Sequence, residues 1–153
     1  MGAMDASLAR HLLLLRASGR ADDTAVLLLS DHGIHYGKYY DGAADGKREH
    51  ANPLLYFLWP RKLLREKPKL EAALSANRRR LLSPFDLHAT LLHVLSYPTP
   101  PVLPDWSGAQ MRLRPRSLLA LVPAERSCED AGVPEDVCPC IVGEEGRGGW
   151  VGG

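Results

Sequence analysis

Long apolar runs are missing from this chain of 153 residues: purely apolar stretches such as Leu12 to Leu15 and Val26 to Leu29 fall far short of the roughly 20 residues that a bilayer crossing needs. No membrane span is therefore expected. The opening, MGAMDASLARH, has no basic flank followed by a long apolar core, so it does not read as a secretory signal. Ala6 also stands where an N-myristoylation motif needs Ser or Thr. The opening reads instead as the middle of something longer. Neither sign of charge is in excess, and a formal net charge of +1 gives no reason to invoke a nucleic-acid partner. Cysteine is scarce and confined to the last fifth of the chain, at Cys128, Cys138 and Cys140. Such clustering marks a local disulfide or a metal clip rather than scattered core thiols. Internal repeats are absent as well.

What is present is enough for one folded domain: 45% hydrophobic residues, an ordinary share for a globular chain of this length. In DASLARHLLLLRASGR, the residues Leu8, Leu12 and Leu15 recur at i, i+4, i+7 behind Asp5, a suitable N-cap, and Gly19 supplies the stop. The spacing predicts a helix over about 5 to 18, with His11 at its surface or in packing. TAVLLLS (24–30) is continuously apolar, as a central parallel strand covered on both faces would be. NPLLYFLWP (52–60) is a second such run, bounded by prolines, and Phe57 and Trp59 favour strand over helix. The Gly-rich, charged stretch between them, GIHYGKYYDGAADGKREHA, is too polar for a core and is expected to be a long functional loop.

From Pro68, a favoured first helical residue, Leu70, Leu74, Asn77 and Leu81 mark one helix face, with Arg78–Arg80 as its basic C-terminal end. SPFD (83–86) combines a Ser N-cap, Pro at N1 and Asp at N3, a capping box that opens a helix through Leu87, Leu91 and Leu95. His88 and His93 are five apart on it, about 140° round the axis, so they do not face one site together. YPTPPVLPDW is a proline-rich connector, SLLALVP a last short strand, and GEEGRGGWVGG a disordered tail. The expected organisation is an α/β region over 1–97, a connector over 98–116, a cysteine-bearing segment over 117–142 and a tail over 143–153.

Ligands of parallel α/β sheets bind outside the carboxyl ends of the strands, where the first apolar run meets Asp31, His32 and Gly33. Asp offers a hard oxygen and neutral His a nitrogen, a set that suits Zn²⁺ or Mn²⁺, and Gly33 lets the backbone turn. His35 is a possible further ligand. By itself Asp-His-Gly is also a common way to cap a strand.

The wider order is strand, Ser-Asp-His-Gly, a glycine- and lysine-bearing loop, Glu-His-x-Asn-Pro, strand, Pro, then the capped helix FDLHATLLHVL. This order resembles the C-terminal half of the alkaline phosphatase and sulfatase superfamily. Within it, the chain is most similar to a family of uncharacterised secreted or luminal proteins, the domain of unknown function numbered 229. Its end, SLLALVPAERSCEDAGVPEDVCPC, resembles that family's closing Ser-Leu, Pro-x-x-Arg-x-Cys-x-Asp-Ala and Cys-x-Cys. The segment RLRPRSLL lacks the Gly-x-Ser-Leu usual there.

The resemblance implies the C-terminal portion of an alkaline-phosphatase-like three-layer sandwich with a mainly parallel sheet. It implies a divalent metal (Zn²⁺, Mn²⁺ or Ca²⁺) held by Asp31 and His32. Lys38, Lys47 and His50 fall where relatives contact the phosphate or sulfate of an ester substrate, and a cationic side chain there stabilises charge on nonbridging oxygens. The nucleophile and further acidic ligands lie in relatives on earlier strands, and none is expected among these residues. An extracellular or luminal location follows from the same likeness. The rival expectation is a non-catalytic secreted binding module that kept the fold; a zinc clip built on the cysteines is weaker, since Cys-x-Cys offers no fourth ligand at a usual spacing. Cys128 is expected to bridge Cys138 or Cys140, because Cys138 and Cys140 are too close in sequence to bridge each other.

Overall fold

In a computed structural model of the chain, which describes residues 2–103 and 113–139, the leucine-rich start forms helix α1 (Gly2–Ala17). Gly19 ends it as expected, and a short 3₁₀ turn at Arg20–Asp22 packs against it. Leu12 and Leu15 are half-buried, while Leu8 on the predicted face is exposed, as are Leu13 and Leu14.

The two apolar runs are strands β1 (Val26–Leu29) and β2 (Leu55–Leu58), so the chain is mixed α/β as expected. They pair with each other, antiparallel, in the register Val26 with Leu58 through Leu29 with Leu55. Among the described residues this ribbon is the whole sheet. The continuous apolar run of β1 predicts cover on both faces. Here Leu29 on one face and Tyr56 and Leu58 on the other are exposed, because among the described residues the two-stranded ribbon has no neighbouring strands.

The stretch between the strands corrects the expectation of a loop. It holds two helices, α2 (Lys38–Gly42) and α3 (Ala44–Ala51), packed on each other. Gly46 permits that packing, since a Cβ at this position would collide with the Tyr39 carbonyl of α2. After β2 come α4 (Arg61–Glu66), which the sequence reading lacks, and α5 (Pro68–Asn77), with Pro68 in its first turn. Helix α5 stops at Asn77, so the arginines at 78–80 form the turn beyond it rather than its last turn. Helix α6 (Pro84–Ser96) carries the predicted capping box of Ser83 and Asp86.

The core lies away from the ribbon. Leu70, Ala73, Leu81, Ala89, Leu113, Leu118, Leu119, Val122 and Ala131 are buried between α5, α6 and the segment 113–131. SLLALVP forms no strand there; it is a turn whose backbone is satisfied by side chains instead of a ladder. Asn77 donates to the carbonyls of Leu118 (3.0 Å) and Ala120 (2.9 Å), and its Oδ1 accepts from the Val122 amide (2.9 Å). Thr90 Oγ1 accepts from Leu118 N. Buried Asp86 accepts from the amides of Ser83 and Arg116 and pairs with Arg126 at 2.6 Å. Arg126 in turn donates to the carbonyls of Arg114 and Asp130.

Near the end, a capping box of Ser127 and Asp130 starts helix α7 (Cys128–Ala131), and Cys128 is bridged to Cys138. That is one of the two expected pairings; Cys140 and the expected tail lie outside the described residues. The 3₁₀ turn Glu135–Val137 after α7 reaches back to α3, so the disulfide-bearing end touches the helix behind the candidate site.

Candidate metal centre at the end of the first strand

Beyond Leu29, Ser30 ties the two strands together: its amide donates to the Leu54 carbonyl, and its hydroxyl accepts from the Leu54 amide at 2.8 Å. The chain then turns through Asp31, His32 and Gly33, and the Gly33 amide donates to the carbonyl of His50 at 3.1 Å. This contact presses the turn onto the C-terminal end of α3. A Cβ on Gly33 would stand 2.5 Å from the Glu49 carbonyl oxygen, so only glycine allows so close an approach.

That closure gathers three imidazoles from distant positions. The ring centroids of His32 and His35 are 5.0 Å apart, those of His32 and His50 5.0 Å, and those of His35 and His50 5.9 Å. One nitrogen of each lies within 4.8 Å of the others, and the trio could hold a metal ion. His50 is half-buried, with the Tyr40 ring edge-on behind it at 5.4 Å; His32 and His35 are more exposed.

The Gly33 carbonyl orients two of the rings. It accepts from Nδ1–H of His32 at 2.7 Å and of His50 at 3.2 Å. A carbonyl has no proton to offer, so each neutral ring carries its hydrogen on Nδ1 and presents a bare Nε2 lone pair, the form in which imidazole binds metal.

Asp31 adds the charge. Its Oδ1 accepts from the His32 amide at 2.9 Å, and its Oδ2 faces His32 Nε2 at 3.5 Å. The His32 amide, with the nearby imidazole, holds the carboxyl below its ordinary 3.8, so it is anionic at neutral pH. With His32 neutral these are two acceptors that a cation could join, and with His32 protonated they form a direct ion pair. Ligands about 2.0–2.1 Å from a tetrahedral ion stand roughly 3.3–3.4 Å apart, close to the spacing seen.

The other sequence-predicted residues are placed unequally. Lys38 is the exposed first residue of α2, and Lys47 is exposed on α3, one turn before His50 and so on the same side of that helix. His50, expected beside the substrate, has its ring among the imidazoles. His93 is buried in α6, its Nδ1 2.9 Å from Ser117 Oγ, away from this cluster. Tyr40, behind His50, is the residue that sequence reasoning passed over; only the α2–α3 hairpin brings it there. A polar helix gives a weak periodic signal, although Gly46 of α3 marks where it meets the Tyr39–Tyr40 backbone of α2.

A strand-end trio of histidines that could hold a metal ion, on a mixed α/β chain, defines a class of candidate metal-binding proteins. The chain belongs to the family described as protein of unknown function (DUF229), whose family model matches residues 1–146. No curated protein and no solved structure matches it.

Proposed function

We propose that this chain carries part of the active site of a metal-dependent hydrolase of phosphate or sulfate esters. Asp31 and His32 are metal ligands in this reading, and a nucleophile from outside these residues completes the site. The observation that carries it is Asp31 Oδ2 and His32 Nε2 facing one another at 3.5 Å, at the end of a strand. Family membership and the resemblance of the Ser-Asp-His-Gly region to the superfamily's metal-binding pair add support. In the whole domain, β1 and β2 would belong to a larger, mainly parallel sheet in a three-layer sandwich. The Cys128–Cys138 bridge favours an oxidising compartment, outside the cell or in the secretory lumen.

The donor set fits a divalent ion, because neutral imidazole and carboxylate are the ordinary ligands of catalytic zinc. Such an ion supplies Lewis-acid polarisation of the ester oxygen. In this reading the exposed Lys38 and Lys47 supply ammonium groups that attract the anionic ester and stabilise charge on its nonbridging oxygens. His50 is better placed as a ligand than as an oxyanion contact, since its Nδ1 is tied to Gly33 and its ring lies beside His32.

The test assays the full-length gene product with p-nitrophenyl phosphate and p-nitrophenyl sulfate, before and after chelation. Turnover that needs added divalent metal and falls at least about a hundredfold in Asp31→Ala and His32→Ala is expected. Turnover indifferent to both substitutions refutes the metal assignment. No turnover of either ester, with metal still bound, favours a non-catalytic binding module.

A further inference from the structure

We propose that His32, His35 and His50 act together as a three-nitrogen centre that selects a borderline ion, Zn²⁺ or Co²⁺, and rejects Ca²⁺ and Mg²⁺. The proposal rests on the reading above that the strand end is a metal site, and it assigns to it a ligand, His35, and a metal class. Three imidazole nitrogens within 4.8 Å of one another are a poor match for Ca²⁺, which takes six to eight oxygens at about 2.3–2.6 Å, and for Mg²⁺, which keeps its water. They match zinc, which binds imidazole nitrogen at about 2.0–2.1 Å in tetrahedral sites. Among first-row ions such a site favours zinc over manganese.

The geometry needs one adjustment. Ligand atoms up to 4.8 Å apart must close to roughly 3.3–3.4 Å around a tetrahedral ion, a change of about 1.5 Å at most. His35 is exposed and the His32 side chain is 44% exposed, so both can rotate inward. His50, pinned by the Gly33 carbonyl and backed by Tyr40, is the fixed member against which they close. Because Gly33 joins the turn to α3, all three ligands belong to one local unit, residues 31–50, and the 153-residue chain itself binds the ion.

Metal-free chain is titrated with Co²⁺, followed by its visible absorption, with Zn²⁺ added as competitor; Ca²⁺ and Mg²⁺ are titrated by calorimetry. One equivalent of Zn²⁺ should displace Co²⁺ and bind at least about a hundredfold tighter than Ca²⁺. His35→Ala should weaken Zn²⁺ by more than about a hundredfold, beyond the roughly 10–100-fold that loss of an outer-sphere partner costs, while His11→Ala on α1 should change nothing. Should His35→Ala perturb folding, ring resonances of the unsubstituted chain decide: those of His32, His35 and His50 should move with Zn²⁺ and that of His11 should not. Calcium binding as tight as zinc, unchanged affinity in His35→Ala, or a still His35 resonance overturns the proposal. These readouts are independent of turnover. Ester hydrolysis that depends on Asp31 and His32 but not His35 would leave the hydrolase reading standing without this centre, and zinc binding by all three without hydrolysis would do the reverse.

Discussion

Replacing Arg126 by Met tests what holds the C-terminal segment on the core. The Arg126 and Asp86 side chains are 3% and 0% exposed, and they meet at 2.6 Å. Met keeps most of the apolar stem but removes the charge and the donors to the carbonyls of Arg114 and Asp130. Asp86 would keep the amides of Ser83 and Arg116, at 2.8 and 2.7 Å, yet lose its counter-charge in a site closed to water. Breaking a buried pair from one side costs about 3–5 kcal/mol, and the Arg114 carbonyl, left without its donor, adds about 1 kcal/mol unless water enters, while the Asp130 carbonyl keeps the Arg114 amide. The expected loss is about 4–6 kcal/mol, a large share of the roughly 5–15 kcal/mol that a domain has. Urea unfolding followed by tryptophan fluorescence measures it. Asp86→Asn added to Arg126→Met should then cost far less than Asp86→Asn alone, with a coupling of about 2 kcal/mol or more, because it discharges the stranded carboxylate. A loss under about 1 kcal/mol for Arg126→Met, or additivity within about 0.5 kcal/mol, refutes the reasoning.

Asn77→Ala should cost about 3 kcal/mol, since it strands the Leu118 and Ala120 carbonyls and the Val122 amide in the core; hydrogen exchange at Val122 should accelerate accordingly. Gly33→Ala should cost about 1–3 kcal/mol in thermal melts and also weaken zinc binding, because its Cβ would force the turn off Glu49 and move the carbonyl that orients His32 and His50. Replacing Cys128 and Cys138 by Ala should lower stability by about 2–3 kcal/mol from loop closure over a separation of 10 residues, read from the shift in denaturant midpoint. The hydrogen bond from the Ser127 hydroxyl holds the Asp130 carboxyl below its ordinary 3.8 in the folded chain. Its contribution is therefore complete above that value and drains away as pH falls through the lower folded-state value. The melting difference between the wild type and Asp130→Asn should accordingly shrink on acidification below about pH 4.

How much was legible beforehand differs from element to element, for physical reasons. Helix α6 could be read from Ser83, Pro84 and Asp86 because capping is local chemistry, complete within one turn. The strands β1 and β2 could be read from their apolar runs, and Asp31 and His32 from their place at a strand end. The partner and direction of β1 could not, because pairing depends on where the chain returns, Leu55 lying opposite Leu29. Helices α2 and α3 escaped notice because their stability comes from packing at Gly46 rather than from an apolar stripe. The same distance effect hid the imidazole cluster. His32 and His50 are 18 residues apart, and only the Gly33 amide bonded to the His50 carbonyl brings them together. The sequence by itself determined the residue types, the caps and the cysteine clip, all properties of near neighbours along the chain. Tertiary structure alone decided that Arg126 neutralises Asp86 across 40 residues and that three histidines share one space, since a contact between distant residues exists only once the backbone has closed on itself.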